Sequence, residues 1–240
     1  MSSKVSRRRF LEGTGTAALL SAGTAVAVGS MAAGTIKILG ISCSPRKGKT
    51  TAAAMRICLD TVKAIDARIE AELIELAGLK IPGEVAAGVE LEPGERDDFP
   101  ALAPKLSDPA VAGIILGTPV YFGNMSSLCK AFLDRWIVFH KEKRLANKVG
   151  GVLAVAGGRN TGVELTIRSV QVALMAQQMI VVGDAPPTGH WGGTVWAGNP
   201  KVTSGPTPDI ARDEEGIATV KNLGRRVAEM ALRLRGPHRV

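Results

Sequence analysis

Ser42, Ser44, Arg46, Lys47, Lys49, Thr50 and Thr51 gather hydroxyl groups and positive charge between a short apolar run and an alanine-rich stretch. The run Ile36, Ile38, Leu39 and Ile41 reads as a buried strand, and Ala52, Ala53, Ala54 and Met55 open a helix. Such a junction presents unpaired backbone N–H groups and the positive end of a helix dipole above the strand. Its chemistry is anion binding, and the anion that fits is a phosphate. Gly48, Lys49 and Thr50 complete the end of the nucleotide pattern G-x-x-x-x-G-K-[ST], but Cys43 stands at its first glycine. A P-loop NTPase also needs an acidic residue closing a later strand to hold magnesium. The next strong strand, Val111 to Leu116, instead runs into Gly117-Thr118-Pro119-Val120-Tyr121. Metal-free binding of a phosphomonoester is the better reading, with the NTPase as the lesser alternative.

Two more strand ends carry loops of unusual composition. Pro119, Val120, Tyr121, Phe122, Gly123 and Asn124 offer aromatic and backbone surface to a flat ring. The alternative for Tyr121 and Phe122 is ordinary core packing. Gly157, Gly158, Arg159 and Asn160 form a glycine-rich, cationic edge, suited to stabilising negative charge on a reduced ring. A phosphate loop, an aromatic loop and a glycine loop match the phosphate, ring and ring edge of FMN.

The elements that must position these loops follow in order. Helical spacing covers 50–67, with Met55, Leu59, Val62 and Ile65 on one face, and 69–76 reads as a second strand. A Gly/Pro/acidic passage, 77–100, is too long to be idle, and Asp97 and Asp98 stand where they would cap a helix at 101–106. Strands at 110–116, 149–156 and 179–182 alternate with helices at 128–136 and 164–178. The segment 183–208 is rich in Gly and Pro and holds Trp191 and Trp196, placed to cover the ligand or a neighbouring subunit. An amphipathic helix, 209–234, closes the chain. Five alternations predict an α/β fold with a parallel sheet covered on both faces. Right-handed crossovers then bring ligands to the carboxyl ends of the strands.

Composition narrows the class further. The formal net charge of the 240 residues is +8, of which Lys4, Arg7, Arg8 and Arg9 less Glu12 supply +3. The remaining basic residues have no interleaved aromatics, which argues against nucleic acid as a partner. Three cysteines make no disulfide framework. Cys58 and Cys129 fall in helices as small hydrophobes. Cys43, at a helix N-terminus beside Arg46 and Lys47, is placed for a lowered thiol pKa, or is present for its small size. His140, His190 and His238 are unpaired with other ligands, so no metal set is expected. Ser6-Arg7-Arg8-Arg9-Phe10-Leu11 precedes a mildly apolar stretch and resembles a twin-arginine export signal. The expected division is a signal over 1–34 and one domain over 35–240, with the twin-arginine translocase as partner and a periplasmic location. A membrane-anchored form with an uncleaved signal is the alternative.

Several motifs carry a family resemblance: Gly40-Ile41-Ser42-Cys43-Ser44-Pro45-Arg46-Lys47, Thr118-Pro119-Val120-Tyr121-Phe122-Gly123 and Lys130-Ala131-Phe132-Leu133-Asp134-Arg135. Gly158-Arg159-Asn160 with Glu164, Met179 to Gly183 and Asp213-Glu214-Glu215-Gly216 add to it. From residue 36 on, the chain resembles the flavodoxin-like NADPH-dependent FMN reductases, closest to their iron–sulfur flavoprotein branch. The resemblance implies a flavodoxin-like three-layer sandwich with a five-stranded parallel sheet in the order 2-1-3-4-5. It also implies tight FMN binding, a homodimer or homotetramer, and two-electron chemistry with NAD(P)H as donor. The acceptor would be a quinone, a flavin or another small molecule, with no catalytic side chain beyond the flavin. The phosphate is assigned to Ser42, Ser44, Arg46, Gly48, Lys49, Thr50 and Thr51. That branch holds a [4Fe–4S] cluster on cysteines after the second strand, but residues 79–98 contain none, so no cluster is expected. Lys49 replaces the family's usual Asn, and the third loop departs at Thr161 and Val163. The rival function is a non-enzymatic, flavodoxin-like electron carrier.

Overall fold

The computed structural model describes residues 34–158, 160–198 and 210–235. The twin-arginine segment, Arg159, His238 and the end of the Gly/Pro-rich segment lie outside them. The elements are β1 (Ile36–Ser42), α1 (Thr50–Lys63), β2 (Ile69–Glu75), α2 (Phe99–Ser107), β3 (Val111–Pro119) and α3 (Ser127–Asp134). There follow α4 (Ile137–His140), β4 (Val149–Ala156), α5 (Val163–Ala176), β5 (Ile180–Val181), β6 (Gly193–Trp196) and α6 (Glu214–Arg235). The strands pair in parallel in the order β2-β1-β3-β4-β5, as expected for the flavodoxin-like arrangement.

β6 is an addition to the expected five strands. β5 pairs only with Val149 and Gly150 at the start of β4, while β6 pairs with Leu153 to Ala156 at its end. The edge beside β4 is therefore filled by two short segments, between which the chain leaves the sheet at 182–192. Asp184 organises that excursion: its buried carboxylate accepts the Thr188 hydroxyl and the His190 N–H. Trp191 lies against Arg168 of α5, with the guanidinium 4.9 Å from the ring centre.

Each face of the sheet has its own core, because alternate residues of a strand point to opposite sides. Leu39, Ile41, Ile114, Leu116 and Val152 pack with Phe99, Phe132, Trp136 and Phe139 under α2, α3, α4 and α5. Ile38, Ile115, Leu153 and Val155 pack with α1 and α6 on the other face. Met55 seats α1 close to the sheet. A Cβ on Gly40 would lie 2.7 Å from its Sδ, and one on Gly117 would lie 2.8 Å from its Cε. Glycine at these two strand positions leaves the space that the Met55 side chain fills.

The passage between β2 and α2 is pinned to the end of α3. Arg135 pairs with Asp97 at 2.7 Å, their side chains only 6% and 13% exposed. The same guanidinium donates to the Pro82 carbonyl at 3.2 Å and lies 4.9 Å from the Phe99 ring centre. Neither acid caps α2 as expected: Asp98 stands at the N-cap position but turns back to accept the Lys80 N–H, and Asp97, one residue earlier, accepts the Phe99 N–H. The expected helix ends hold to within a residue or two except at two places. α1 stops at Lys63 and α6 begins at Glu214, where Asp213 accepts the Gly216 N–H.

Candidate functional site

Parallel strands in register bring Ser42, Glu75 and Gly117 to one level at the carboxyl rim; the first loop starts there, the second just beyond, and the third after β4 has run on from Leu153, opposite Gly117, to Ala156. In the first loop the Ser44 hydroxyl accepts the Arg46 N–H at 3.2 Å and tightens the turn. Arg46, Lys47 and Lys49 are exposed, while Thr50 and Thr51 are buried at the start of α1. That helix opens with no side-chain cap and no acidic residue in its first turn. The Ser42 hydroxyl is buried with no hydrogen-bond partner among the described residues. Ser42 shares a face of β1 with Ile38, the face that α1 covers. An orphaned buried hydroxyl, an uncapped helix start and three nearby cations fit a phosphomonoester.

The second loop turns back on itself: Tyr121 and Asn124 exchange backbone hydrogen bonds at 2.8 and 3.0 Å. Tyr121 is half exposed and Phe122 wholly exposed, so neither ring belongs to the core and both stand free at the rim. Pro119 is buried, and Val120 N–H donates to the Val155 carbonyl at 2.9 Å. In the third loop Gly157 and Asn160 are exposed and Gly158 half-buried; Arg159 lies outside the described residues.

The loops are joined to one another. The Ser126 hydroxyl accepts the Cys129 N–H at 3.1 Å, capping α3, and donates to the Cys43 carbonyl at 2.7 Å, tying the second loop to the first. Gly162 meets Gly123 so closely that a Cβ there would lie 2.7 Å from the Gly123 Cα. The Trp196 indole N–H donates to the Gly157 carbonyl at 3.2 Å, joining β6 to the third loop. Beside that loop opens a cavity of about 530 Å³ lined by Gly158, Asn160, Glu164, His190, Thr194 and Trp196.

Gly162 carries the second joint in a left-handed conformation, φ +92°. A Gly162→Ala chain is expected to lose about 1–2 kcal/mol from backbone strain alone and to push the second and third loops apart. Thermal unfolding and FMN titration should fall together; an unchanged flavin affinity would show that this contact does not shape the site.

Cys43 does not have the lowered pKa that its cationic neighbours suggest. Burial, with a hydrogen bond to the Cys129 thiol, raises it well above the ordinary value. The side chain is fully buried in the core, and desolvation of the thiolate outweighs the cations nearby. It sits instead as a small, fully buried member of the core. Sequence reasoning missed Glu75, whose carboxylate accepts the Gly48 N–H at 2.7 Å. The contact spans 27 positions of chain, so no local pattern announces it. It missed the joining role of Ser126 too, although Ser126 three residues before Cys129 is a cap signal.

The NADPH-dependent FMN reductase profile matches residues 36–192. An iron–sulfur flavoprotein of Methanocaldococcus jannaschii is 36% identical over 198 residues, covering 81% of this chain and 97% of the relative. An NAD(P)H dehydrogenase (quinone) of Archaeoglobus fulgidus is 34% identical over 184 residues, 72% of this chain and 82% of the relative. Among solved structures, RosB with bound 8-demethyl-8-formylriboflavin-5′-phosphate superposes with a TM-score of 0.63 at 16% identity, over 83% of this chain and 80% of that one. The WrbA-like flavodoxin from Agrobacterium tumefaciens superposes with a TM-score of 0.55 at 16% identity, over 83% and 98%. These two likenesses establish the flavodoxin-like fold. The profile match and the two sequence relatives establish more, and the chain belongs to the NADPH-dependent FMN reductase family.

Proposed function

We propose that the protein is an FMN-dependent oxidoreductase that takes electrons from NAD(P)H and delivers them to a quinone, a free flavin or another small acceptor. One observation carries the reading: the three strand-end loops are hydrogen-bonded and packed into a single rim, with an orphaned buried hydroxyl and an uncapped helix at one end and two free aromatic rings in the middle. FMN, when bound, supplies the two-electron chemistry. The chain's own work is to seat and shield the cofactor. Ser42, Ser44, Thr50, Thr51 and the amides of the first turn of α1 hold the phosphate, and Arg46 and Lys49 neutralise it. Pro119 to Asn124 and Gly157 to Asn160 flank the ring and keep water from it. No side chain acts as nucleophile.

The cavity beside the third loop gives a small acceptor room next to the ring edge. The reading includes no iron–sulfur cluster, because residues 79–98 offer no cysteine and the Asp97–Arg135 pair braces that passage instead. It also includes assembly as a homodimer or homotetramer, and export through the twin-arginine translocase, supported by Ser6 to Leu11. With export, either the donor is a membrane or periplasmic redox partner, or the NAD(P)H-dependent activity precedes translocation.

Anaerobic addition of NADPH to the FMN-loaded protein decides between enzyme and carrier. The expected result is rapid bleaching of the visible flavin bands, reversed by added quinone over many turnovers. Bleaching by dithionite but by neither NADPH nor NADH would overturn the enzyme in favour of a carrier.

A further inference from the structure

Glu75 ends β2 directly beside Ser42 of β1, on the level where the phosphate loop begins. Its carboxylate is 15% exposed and fully engaged. Oε2 accepts the Gly48 N–H at 2.7 Å, and Oε1 accepts a hydrogen bond from Arg56 of α1 at 2.8 Å. Gly48 sits at φ +67° at the tip of the loop, a backbone state open to glycine. One carboxylate thus clamps the end of β2, the loop tip and the second turn of α1. An anion in the wall of an anion site would ordinarily oppose its ligand. Here Arg56 balances the charge, and the Gly48 amide, assigned to the phosphate from the sequence, is taken by Glu75 instead.

We propose that Glu75 is a positioning residue for the FMN phosphate. By taking up the Gly48 amide it fixes the loop so that the amides of the first turn of α1 and the Ser42 hydroxyl face the ligand together. The gain is pre-organisation: the loop is ordered before the phosphate arrives, so less of the binding energy goes into ordering it. The contribution of Glu75 is therefore geometric, not electrostatic. A neutral side chain with an acceptor oxygen at the same place should serve nearly as well. This inference rests on the FMN reading above.

The test compares FMN and riboflavin, which differ only in the phosphate, on the apoprotein by fluorescence titration. Glu75→Ala should weaken FMN by about tenfold or more, whereas Glu75→Gln, whose amide oxygen can still accept from Gly48, should stay within about threefold of the parent. Riboflavin should bind all three proteins alike. Three outcomes overturn the proposal: FMN bound equally by Glu75→Ala and the parent, FMN bound more tightly by both variants (a repelling charge), or FMN and riboflavin weakened together (general loosening). A parent that binds no FMN would fail at the earlier step and remove the flavin reading itself.

Discussion

Reversing two charges in the first loop, Arg46→Glu with Lys49→Glu, is expected to lower FMN affinity at least about a hundredfold, since each hydrogen bond to a charged group contributes about 1.5–3 kcal/mol. Folding should hardly change. Both side chains are exposed, and Lys49 is the N-cap of α1, where an acidic residue favours the helix dipole by about 0.3–1 kcal/mol. Affinity and stability should therefore move in opposite directions, which a misfolded variant cannot imitate. Riboflavin serves as the control, because its binding should be nearly unaffected. Titration of apoprotein with both flavins, beside a thermal melt, reads all three quantities.

The second large effect is on stability. Arg135→Met leaves Asp97 without its buried partner and frees the passage between β2 and α2. Breaking a buried ion pair costs about 3–5 kcal/mol; the lower end applies because Asp97 keeps some access to water, its side chain being 13% exposed. At about 2–4 °C per kcal/mol for a chain of this size, the melting temperature should drop by about 6–12 °C. Adding Asp97→Asn should recover part of the loss, since the second change removes the stranded charge. The pair also sets an acid limb. Burial tends to raise the Asp97 carboxyl, but the Arg135 and Phe99 hydrogen bonds more than offset it and leave the pKa below the ordinary value. The pair's contribution is present above the unfolded carboxyl's value of about 3.9 and is lost as pH falls through the lower folded one. The parent should therefore lose stability toward acid more steeply than Arg135→Met. Equal acid limbs would mean that the pair contributes little. FMN affinity should survive, because Arg135 lies at the opposite end of α3 from Ser126.

What could be read from the residues alone was what depends on near neighbours. The near-continuous apolar runs of β1, β3 and β4 marked buried parallel strands, and the small polar residues after each marked the loops that now form the rim. β6 was not legible: Gly193-Thr194-Val195-Trp196 sits among glycines and prolines, and only the free edge of Leu153 to Ala156 makes it a strand. The lowered-pKa alternative for Cys43 failed for a related reason. Arg46 and Lys47 are visible in the local sequence, whereas complete burial against Cys129 is a tertiary fact, and burial is the stronger influence. Glu75 and Ser126 belong with these. Each reaches a loop far along the chain, at Gly48 and Cys43, and a reading by local composition has no means of joining them. The aromatic loop lay between the two cases. Its residues were identified, but whether Tyr121 and Phe122 faced the core or the solvent had to come from the fold.

The most direct test is the visible spectrum of the protein purified from a flavin-replete host, followed by denaturation and identification of the released pigment. A flavin-holding rim should give a yellow protein with flavin bands near one FMN per chain, or a colourless one that takes up FMN to that stoichiometry and more tightly than riboflavin. A protein that neither retains nor takes up FMN would contradict it, whatever its fold.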